Sequence, residues 1–165
     1  MFDNYINTTP RGRIDMSSLI FAERLKDFLQ WEGINENALA KATGLQLKSI
    51  LNWVRGIYYP CPRALIVLAD YMKTSTDYLL GLVQVYEEKN AISITIEEAQ
   101  ANVIKKLEAY RVEEEIKYGR LSKLLGVGQR TLTRWFKEKA MPETTILIRI
   151  AKLLDISLDE LLGRE

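Results

Sequence analysis

The fold is decided by the stretch LSKLLGVGQRTLTRW, residues 121–135, and by its counterpart LAKATGLQLKSILNW, residues 39–53. In both stretches a leucine opens a helical pattern, a glycine interrupts it, and a tryptophan closes it. The glycine marks a tight turn, because glycine adopts a positive φ at little steric cost. Each stretch therefore predicts two short helices joined by a turn.

The two stretches belong to a repeat that spans most of the chain. Without gaps, each residue of the first half aligns with the residue 82 positions later, as Leu39 does with Leu121. Apolar positions keep this register over about sixty residues, which chance agreement would not produce. The chain therefore predicts two copies of one small domain. Identical pairs include Leu25 and Leu107, Gly44 and Gly126, Trp53 and Trp135, Pro60 and Pro142, and Gly81 and Gly163.

Each copy predicts five short helices and no strand. In the first copy, Ser17 or Ser18 caps the first helix and Asn35 caps the second, since a side-chain oxygen accepts from a free backbone N–H there. In the second copy, Thr95 followed by Glu98 has the spacing of a capping box. The remaining helices of the first copy are predicted at residues 47–55, 64–71 and 76–80.

The repeat also sets the predicted domain boundaries. Residues 83–95 separate the two copies, and the β-branched run at 92–95 favours packing on a domain over a flexible linker. We call residues 18–82 copy one and residues 96–165 copy two. The predicted ranges are a tail at 1–17, a first helix-turn-helix domain at 18–82, a linker at 83–95 and a second helix-turn-helix domain at 96–165.

The composition is that of a globular protein without an obvious active site. Of the 165 residues, 47% are apolar and 27% are charged, and there is one cysteine and no histidine. The lack of histidine excludes imidazole acid–base chemistry and histidine metal sites. No apolar run approaches the ~18 residues of a membrane helix, and the first fifteen residues lack a signal core. These features predict a cytoplasmic protein that is not an enzyme and binds no cofactor, metal or membrane.

The repeated motif resembles the Cro/phage-repressor (XRE) family of helix-turn-helix DNA-binding domains. The resemblance implies an all-α fold of two tandem five-helix Cro/repressor-like domains, whose third helices, at about 47–55 and 129–137, enter a DNA major groove. It is carried in copy one by Leu39-Ala40, Gly44-Leu45, Ser49-Ile50, Trp53, Pro60 and residues 77–81, and in copy two by Leu121, Gly126-Val127, Thr131-Leu132, Trp135, Pro142 and residues 156–162.

Local charge distinguishes the two copies, although the net charge of the chain is only +1. Residues 35–56 contain three cations and one acid, for a charge of +2, whereas residues 117–138 contain six cations and one acid, for +5. Because phosphate neutralisation supplies much of DNA affinity, copy two is predicted to bind DNA more strongly.

The resemblance also implies which side chains contact DNA. In copy two, Gln129, Arg130 and Arg134 are placed to read base edges, since arginine pairs with guanine and glutamine with adenine. In copy one, Lys48 and Asn52 occupy the positions of Arg130 and Arg134. The predicted contact set is completed by Thr131, Lys137, Lys123 and Arg120 in copy two and by Gln46 and Arg55 in copy one. Lys123 and Lys137 are assigned to phosphates.

Two departures from the family pattern concern the same surface. Glu36 and Tyr118 stand where family members carry a glutamine that contacts a phosphate, and an acidic Glu36 would be repelled there. Val54 and Phe136 stand where family members carry an acidic residue directly after the aromatic residue of the third helix, and such exposed apolar side chains would mark a contact between domains or chains. In the tail, Arg11 and Arg13 are either part of a disordered segment or an arm that enters a minor groove.

The predicted function is sequence-specific binding of double-stranded operator DNA by a transcriptional regulator, most simply a repressor. One alternative is an interaction protein, in which one domain reads DNA and the other binds a protein partner or a second copy of the chain. Another is a DNA-binding antitoxin. A homodimer is compatible with each, and no small-molecule ligand is evident.

Overall fold

The computed structural model describes residues 16–165, and all regular secondary structure in this range is helical. The predictions for residues 1–15, including Arg11 and Arg13, lie outside the described residues. None of the described helices is long and apolar enough to cross a membrane. The helices are α1 (Met16–Glu32), α2 (Glu36–Thr43), α3 (Leu47–Val54), α4 (Pro62–Tyr71), α5 (Thr76–Leu79), α6 (Ile96–Glu113), α7 (Tyr118–Leu125), α8 (Gln129–Lys137), α9 (Thr144–Leu154) and α10 (Leu158–Leu162).

The described residues form two compact units. Unit 1 consists of the described chain up to Tyr59 together with Leu79–Gly81, and unit 2 consists of Pro60–Tyr78 and Leu82–Glu165. Unit 2 therefore contains α4 and most of α5, which the sequence groups with copy one. The predicted ranges 18–82 and 96–165 describe the repeat, and whether they fold separately stays a prediction.

The core of unit 1 lies where α1 packs against α3. Phe21 and Leu25 of α1, Leu39 of α2 and Ile50 of α3 are completely buried. The predicted serine cap of α1 is wrong, because the helix already begins at Met16 and Ser18 lies inside it. The Ser18 hydroxyl is buried and donates to the Gly56 carbonyl at 2.9 Å, so it ties α1 to the end of α3.

Unit 2 has a larger core, to which α4 and all of α6–α10 contribute. Leu65 of α4, Leu107 of α6, Leu147 of α9 and Leu161 of α10 are completely buried. The predicted capping box at the start of α6 is confirmed: Thr95 Oγ1 accepts from the Glu98 N–H, and the Glu98 carboxylate accepts from the Thr95 N–H. Such a box fixes where the helix begins, because it satisfies backbone donors that no helical carbonyl reaches.

The segment between α5 and α6 contains no helix or strand. Its second half is held to unit 2, because the Ile92 N–H donates to the Asp70 carboxylate at 3.3 Å and the Lys89 N–H donates to the Lys73 carbonyl at 2.9 Å. Ile92 and Ile94 are half-buried. This agrees with the prediction that the β-branched run packs on folded structure.

Candidate nucleic-acid interface

Helices α7 and α8 of unit 2 are joined by a three-residue turn. Gly126 ends α7 with a φ of 66°, and its N–H donates to the last turn of the helix. This left-handed conformation is the reason for glycine at this point, since a side chain would strain it. Leu121 and Leu125 of α7 and Leu132 of α8 are buried, so the apolar faces of the two helices fix their relative orientation.

The opposite face of α8 is exposed and basic. Arg130, Arg134 and Lys137 are spaced four and three residues apart, which places them on one face of the helix, and all three are exposed. Trp135 points the other way and is 4% exposed. The structure therefore brings together the three basic side chains that the sequence selected on this helix.

Gln129 opens α8 beside the beginning of α7. A Cβ atom added to Gly119 would lie 3.3 Å from Gln129 Nε2, so the glutamine amide lies over a position where α7 has no side chain. Gln129 is exposed, whereas Thr131 is half-buried. The sequence selected Gln129 but not Gly119, whose lack of a side chain leaves room for the glutamine amide.

Arg134 has an acidic neighbour at the end of α8. Its Nε lies 3.5 Å from Glu138 Oε2, and both side chains are more than half exposed. An exposed pair of this kind contributes little to stability, about 0.3–0.5 kcal/mol. Glu138 is the repeat equivalent of Gly56 in copy one. An acidic side chain at this position, able to pair with the outer face of the helix, therefore exists only in copy two.

The cations of residues 117–138 all reach solvent. Arg120 and Lys123 lie on α7 and are exposed, as are Lys117 before the helix and the three cations of α8. Exposed cations keep their hydration and are free to exchange it for phosphate contacts. The +5 charge of this segment is therefore a surface property.

Tyr118 opens α7 and is held by three neighbours. Its hydroxyl donates to Glu108 Oε2 at 3.1 Å, its ring meets Phe136 edge-on at 5.2 Å between centroids, and the Arg111 guanidinium lies 4.6 Å from the ring centroid. The hydrogen bond from Arg111 holds the pKa of the Glu108 carboxyl below its usual range. Phe136 is half-buried against Tyr118, so the prediction that it is exposed is wrong.

Two buried polar side chains position the third helices, of which the sequence did not select Gln100 and assigned Ser18 only as a helix cap. In unit 2, Gln100 is 7% exposed and its Nε2 donates to the Trp135 carbonyl at 3.0 Å. Gln100 is the repeat equivalent of Ser18, which bonds to Gly56 in unit 1. The sequence contains a signal for this role, because Ser18 and Gln100 are polar residues at the same repeat position of a helix face that is otherwise apolar.

Unit 1 contains the same helical motif in α2 and α3. The Asn35 cap is confirmed, because Asn35 Oδ1 accepts from the Ala38 N–H at 2.9 Å. Gly44 ends α2 with a φ of 70°. Helices α2 and α3 pack together through the buried Leu39 and Ile50. These residues are the repeat equivalents of Leu121 and Leu132 in unit 2.

The outer face of α3 is less charged than that of α8. Gln46, Lys48 and Arg55 are exposed, and Asn52 is half-buried. The Asn52 amide is already engaged, since its Nδ2 donates to Tyr58 Oη at 3.0 Å. Val54 is half-buried, so the prediction that it is exposed is wrong, and Leu47 and Leu51 of the same helix are half-buried too.

Both tryptophans of the motif are core residues. Trp53 is 3% exposed and Trp135 is 4% exposed, and Trp53 packs edge-on against Phe21. Neither ring is accessible for stacking on a base. Their role is to anchor α3 and α8 to the rest of each unit, as expected of large buried aromatic side chains.

Residues 107–161 match the protein-family model described as Helix-turn-helix. The match covers α7, α8 and α9 completely and less than half of the chain. It supports the Cro/phage-repressor (XRE) resemblance for this stretch and, with it, a DNA-binding transcriptional regulator. Neither the curated proteins nor the solved structures contain a match to the chain. The described residues contain no group of three or more side chains able to hold a metal ion.

Proposed function

We propose that this protein is a sequence-specific, cytoplasmic DNA-binding repressor with two tandem helix-turn-helix domains. The observation that carries the proposal is the exposed basic face of α8, which lies within the stretch that matches the helix-turn-helix family. A helix with this face suits a DNA major groove, where arginines reach guanine and neighbouring cations reach phosphates. Occupying an operator requires no catalytic group, cofactor or metal.

The proposed tandem arrangement is supported by the helix boundaries. Four helices of the second half begin 82 residues after their counterparts, so that the register of the repeat in the sequence is also the register of the helices. The turn glycines and the buried tryptophans recur at the same offset. The paired starting residues are Glu36 and Tyr118, Leu47 and Gln129, Pro62 and Thr144, and Thr76 and Leu158.

In the proposed complex, copy two is the main reading head. Gln129, Arg130 and Arg134 read bases, and Lys123, Lys137 and Arg120 contact phosphates, with Thr131 at the edge of the contact. Copy one adds a weaker contact through Gln46, Lys48, Asn52 and Arg55. Its Asn52 amide donates to Tyr58 Oη, which orients it, and asparagine is a side chain that suits recognition of adenine.

The test is selection of bound sites from random double-stranded DNA by the full-length protein. The selected site is then measured against scrambled DNA with Arg130→Ala and Lys48→Ala, which change equivalent positions of the repeat. Lys105→Ala, an exposed lysine on α6, is the control. We expect one defined site, the larger loss for Arg130→Ala, and no loss for the control. Failure to enrich any sequence would contradict the proposal.

A second candidate is a regulator in which copy two reads DNA and unit 1 binds a protein. The observation that favours it is the exposure of large apolar side chains in unit 1, where Trp31 is 88% exposed, Ile57 is 54% exposed and Tyr58 is 43% exposed. If this candidate holds, Lys48→Ala and Asn52→Ala leave DNA affinity unchanged, and Trp31→Ser removes a partner without altering the selected site. An antitoxin is a special case, in which the partner is a toxin encoded by a neighbouring gene.

A further inference from the structure

Two aspartates at equivalent positions of the repeat cap each other's helices within unit 2. Asp77 Oδ1 and Oδ2 accept from the N–H groups of Leu158 and Asp159 at 2.9 and 3.0 Å. In return, Asp159 Oδ1 accepts from the N–H and the hydroxyl of Thr76 at 3.1 and 2.7 Å. Asp77 and Asp159 are 82 residues apart, as are Thr76 and Leu158, so the bond from the Leu158 N–H to Asp77 has its counterpart in the bond from the Thr76 N–H to Asp159. Such a reciprocal pair of bonds is a feature of isologous interfaces between two like subunits.

The reciprocal pair is buried. Asp77 is 7% exposed and Asp159 is completely buried. Burial raises the pKa of Asp77, and the N–H groups of Leu158 and Asp159 oppose that shift. Burying a carboxylate costs free energy unless hydrogen bonds or cations compensate it, so these contacts form only where both helices are held together.

Further bonds join the same two segments and break the symmetry. Arg164, at 2% exposure, contacts Asp159 at 2.6 Å and Asp70 of α4 at 2.7 Å. Thr144, at the start of α9, donates its buried hydroxyl to the Pro60 carbonyl at 2.7 Å. The repeat equivalent of Arg164 is Leu82, so copy one offers no second arginine for a symmetric arrangement. Residues 60–78 and the α9–α10 surface are therefore complementary to each other, and neither is complementary to a second copy of itself.

We infer that the α9–α10 surface of copy two is a dimerisation surface whose partner is residues 60–78 of the same chain. Because the chain supplies that partner itself, the surface is not available to a second copy, and the protein is a monomer that contains its own dimer-like interface. The inference rests on the tandem-repeat part of the proposed function. It also explains why α4 and most of α5 belong to unit 2.

The first test is the mass of the full-length protein, measured by light scattering during gel filtration from about 1 to 100 μM. We expect the 19.0 kDa of a single chain at every concentration. A dimer at micromolar concentration would overturn the inference, whether it arose from pairing of two chains through other surfaces or from exchange of residues 60–78 between them.

The second test cuts the linker after folding. A site for a sequence-specific protease is inserted between Glu87 and Glu88, which are both exposed, and the folded protein is cleaved. We expect the two fragments to elute together at the mass of the intact chain. Separation of the fragments at micromolar concentration would overturn the inference. Because this measurement needs no DNA, its failure is distinguishable from a failure of the proposed DNA binding.

Variants of the cleaved protein test the contacts themselves. Asp77→Asn replaces an acceptor by an amide that opposes the N–H groups of α10, and we expect it to weaken fragment association about tenfold or more. Thr144→Val removes one buried hydrogen bond without changing charge and is expected to weaken association less. Asp155→Asn, at an exposed carboxylate after α9, is the matched control. Equal association for all three variants and the parent would overturn the assigned interface.

Discussion

The helices α3 and α8 share one architecture and differ in the surface they expose. Both follow a left-handed glycine turn, and both bury a tryptophan against the unit that carries them. The outer face of α8 carries three exposed cations, whereas that of α3 carries Lys48 and Arg55 and an asparagine already bonded to Tyr58. The buried positions thus preserve the same local architecture, while the exposed positions differ in charge.

The overall charge of +1 conceals this difference. An acidic run at residues 113–115, exposed and immediately before the motif, offsets three of the five net positive charges of residues 117–138 in the total. Salt at physiological ionic strength screens charge–charge interactions beyond about 8–10 Å. A bound duplex therefore responds to the local cluster of cations. Experiments that separate the two copies are therefore the informative ones.

The largest effect we expect is that of salt on DNA binding. Each phosphate neutralised contributes about 0.9 to the slope of log affinity against log salt, so the six exposed cations of copy two predict a slope magnitude well above 2. Lys123→Ala and Lys137→Ala should each lower it by about one. The equivalent changes in copy one, Lys41→Ala and Arg55→Ala, should lower it less. Fluorescence anisotropy between about 50 and 300 mM salt measures this, and a parent slope below about 2 would contradict the electrostatic assignment.

The next effect concerns the side chains that read bases. Arg130→Ala and Arg134→Ala should each cost about 1–3 kcal/mol on the selected site and relax preference at one or two base pairs. Affinity for scrambled DNA should change far less. The equivalent Lys48→Ala and Asn52→Ala should be milder. If the copy-one changes cost more, the main reading head is copy one and our assignment is reversed.

The repeat also allows a comparison of stability. Gln100→Ala removes the buried donor to the Trp135 carbonyl and should lower the free energy of unfolding by about 1–3 kcal/mol. Ser18→Ala removes the equivalent but smaller side chain and should cost about 1 kcal/mol. Urea unfolding gives both values, with Lys105→Ala on α6 as a surface control. A larger cost for Ser18→Ala would mean that the two buried bonds do not play equivalent roles.

The helices of the motif were predictable because their signals are local. Apolar spacing, the Asn35 cap and the turn glycines are each read within a few residues, and the observed bounds of α2 and α3 follow them. The start of α1 was misplaced because Ser18 looks like a cap in sequence. Its hydroxyl bonds instead to Gly56, far along the chain.

The contacts that the sequence did not predict are all pairings of distant residues. Asp77 and Asp159 are both small acidic residues at the start of a short helix, where an ordinary capping role accounts for them locally. Only the fold shows that each caps the helix of the other. The same holds for the half-buried Phe136, since its partner Tyr118 lies on another helix.

A smaller effect is expected at the end of α8. Glu138→Gln removes an acid from the DNA-facing end and releases Arg134, so affinity should rise by about 0.2–1 kcal/mol at low salt and the gain should vanish at high salt. Glu113→Gln, which removes the same charge outside α7 and α8, is the control. The converse change in copy one is unsuitable, because Gly56 has a φ of 70° and an added Cβ would meet Leu19 at 2.8 Å. Equal gains for both variants would indicate a general charge effect.

The smallest effect concerns the capping box that begins α6 and so belongs to copy two. Hydrogen bonds from the Thr95 backbone and side chain lower the pKa of the Glu98 carboxyl. A carboxyl with a lowered pKa in the folded state stabilises the fold fully above its unfolded value of about 4.3, and this contribution is lost as the pH falls through the folded value. Glu98→Gln retains an acceptor but does not titrate, so the difference in urea midpoint between parent and variant should shrink between pH 6 and pH 3. A difference that grows on acidification would show that the carboxylate of Glu98 does not stabilise α6.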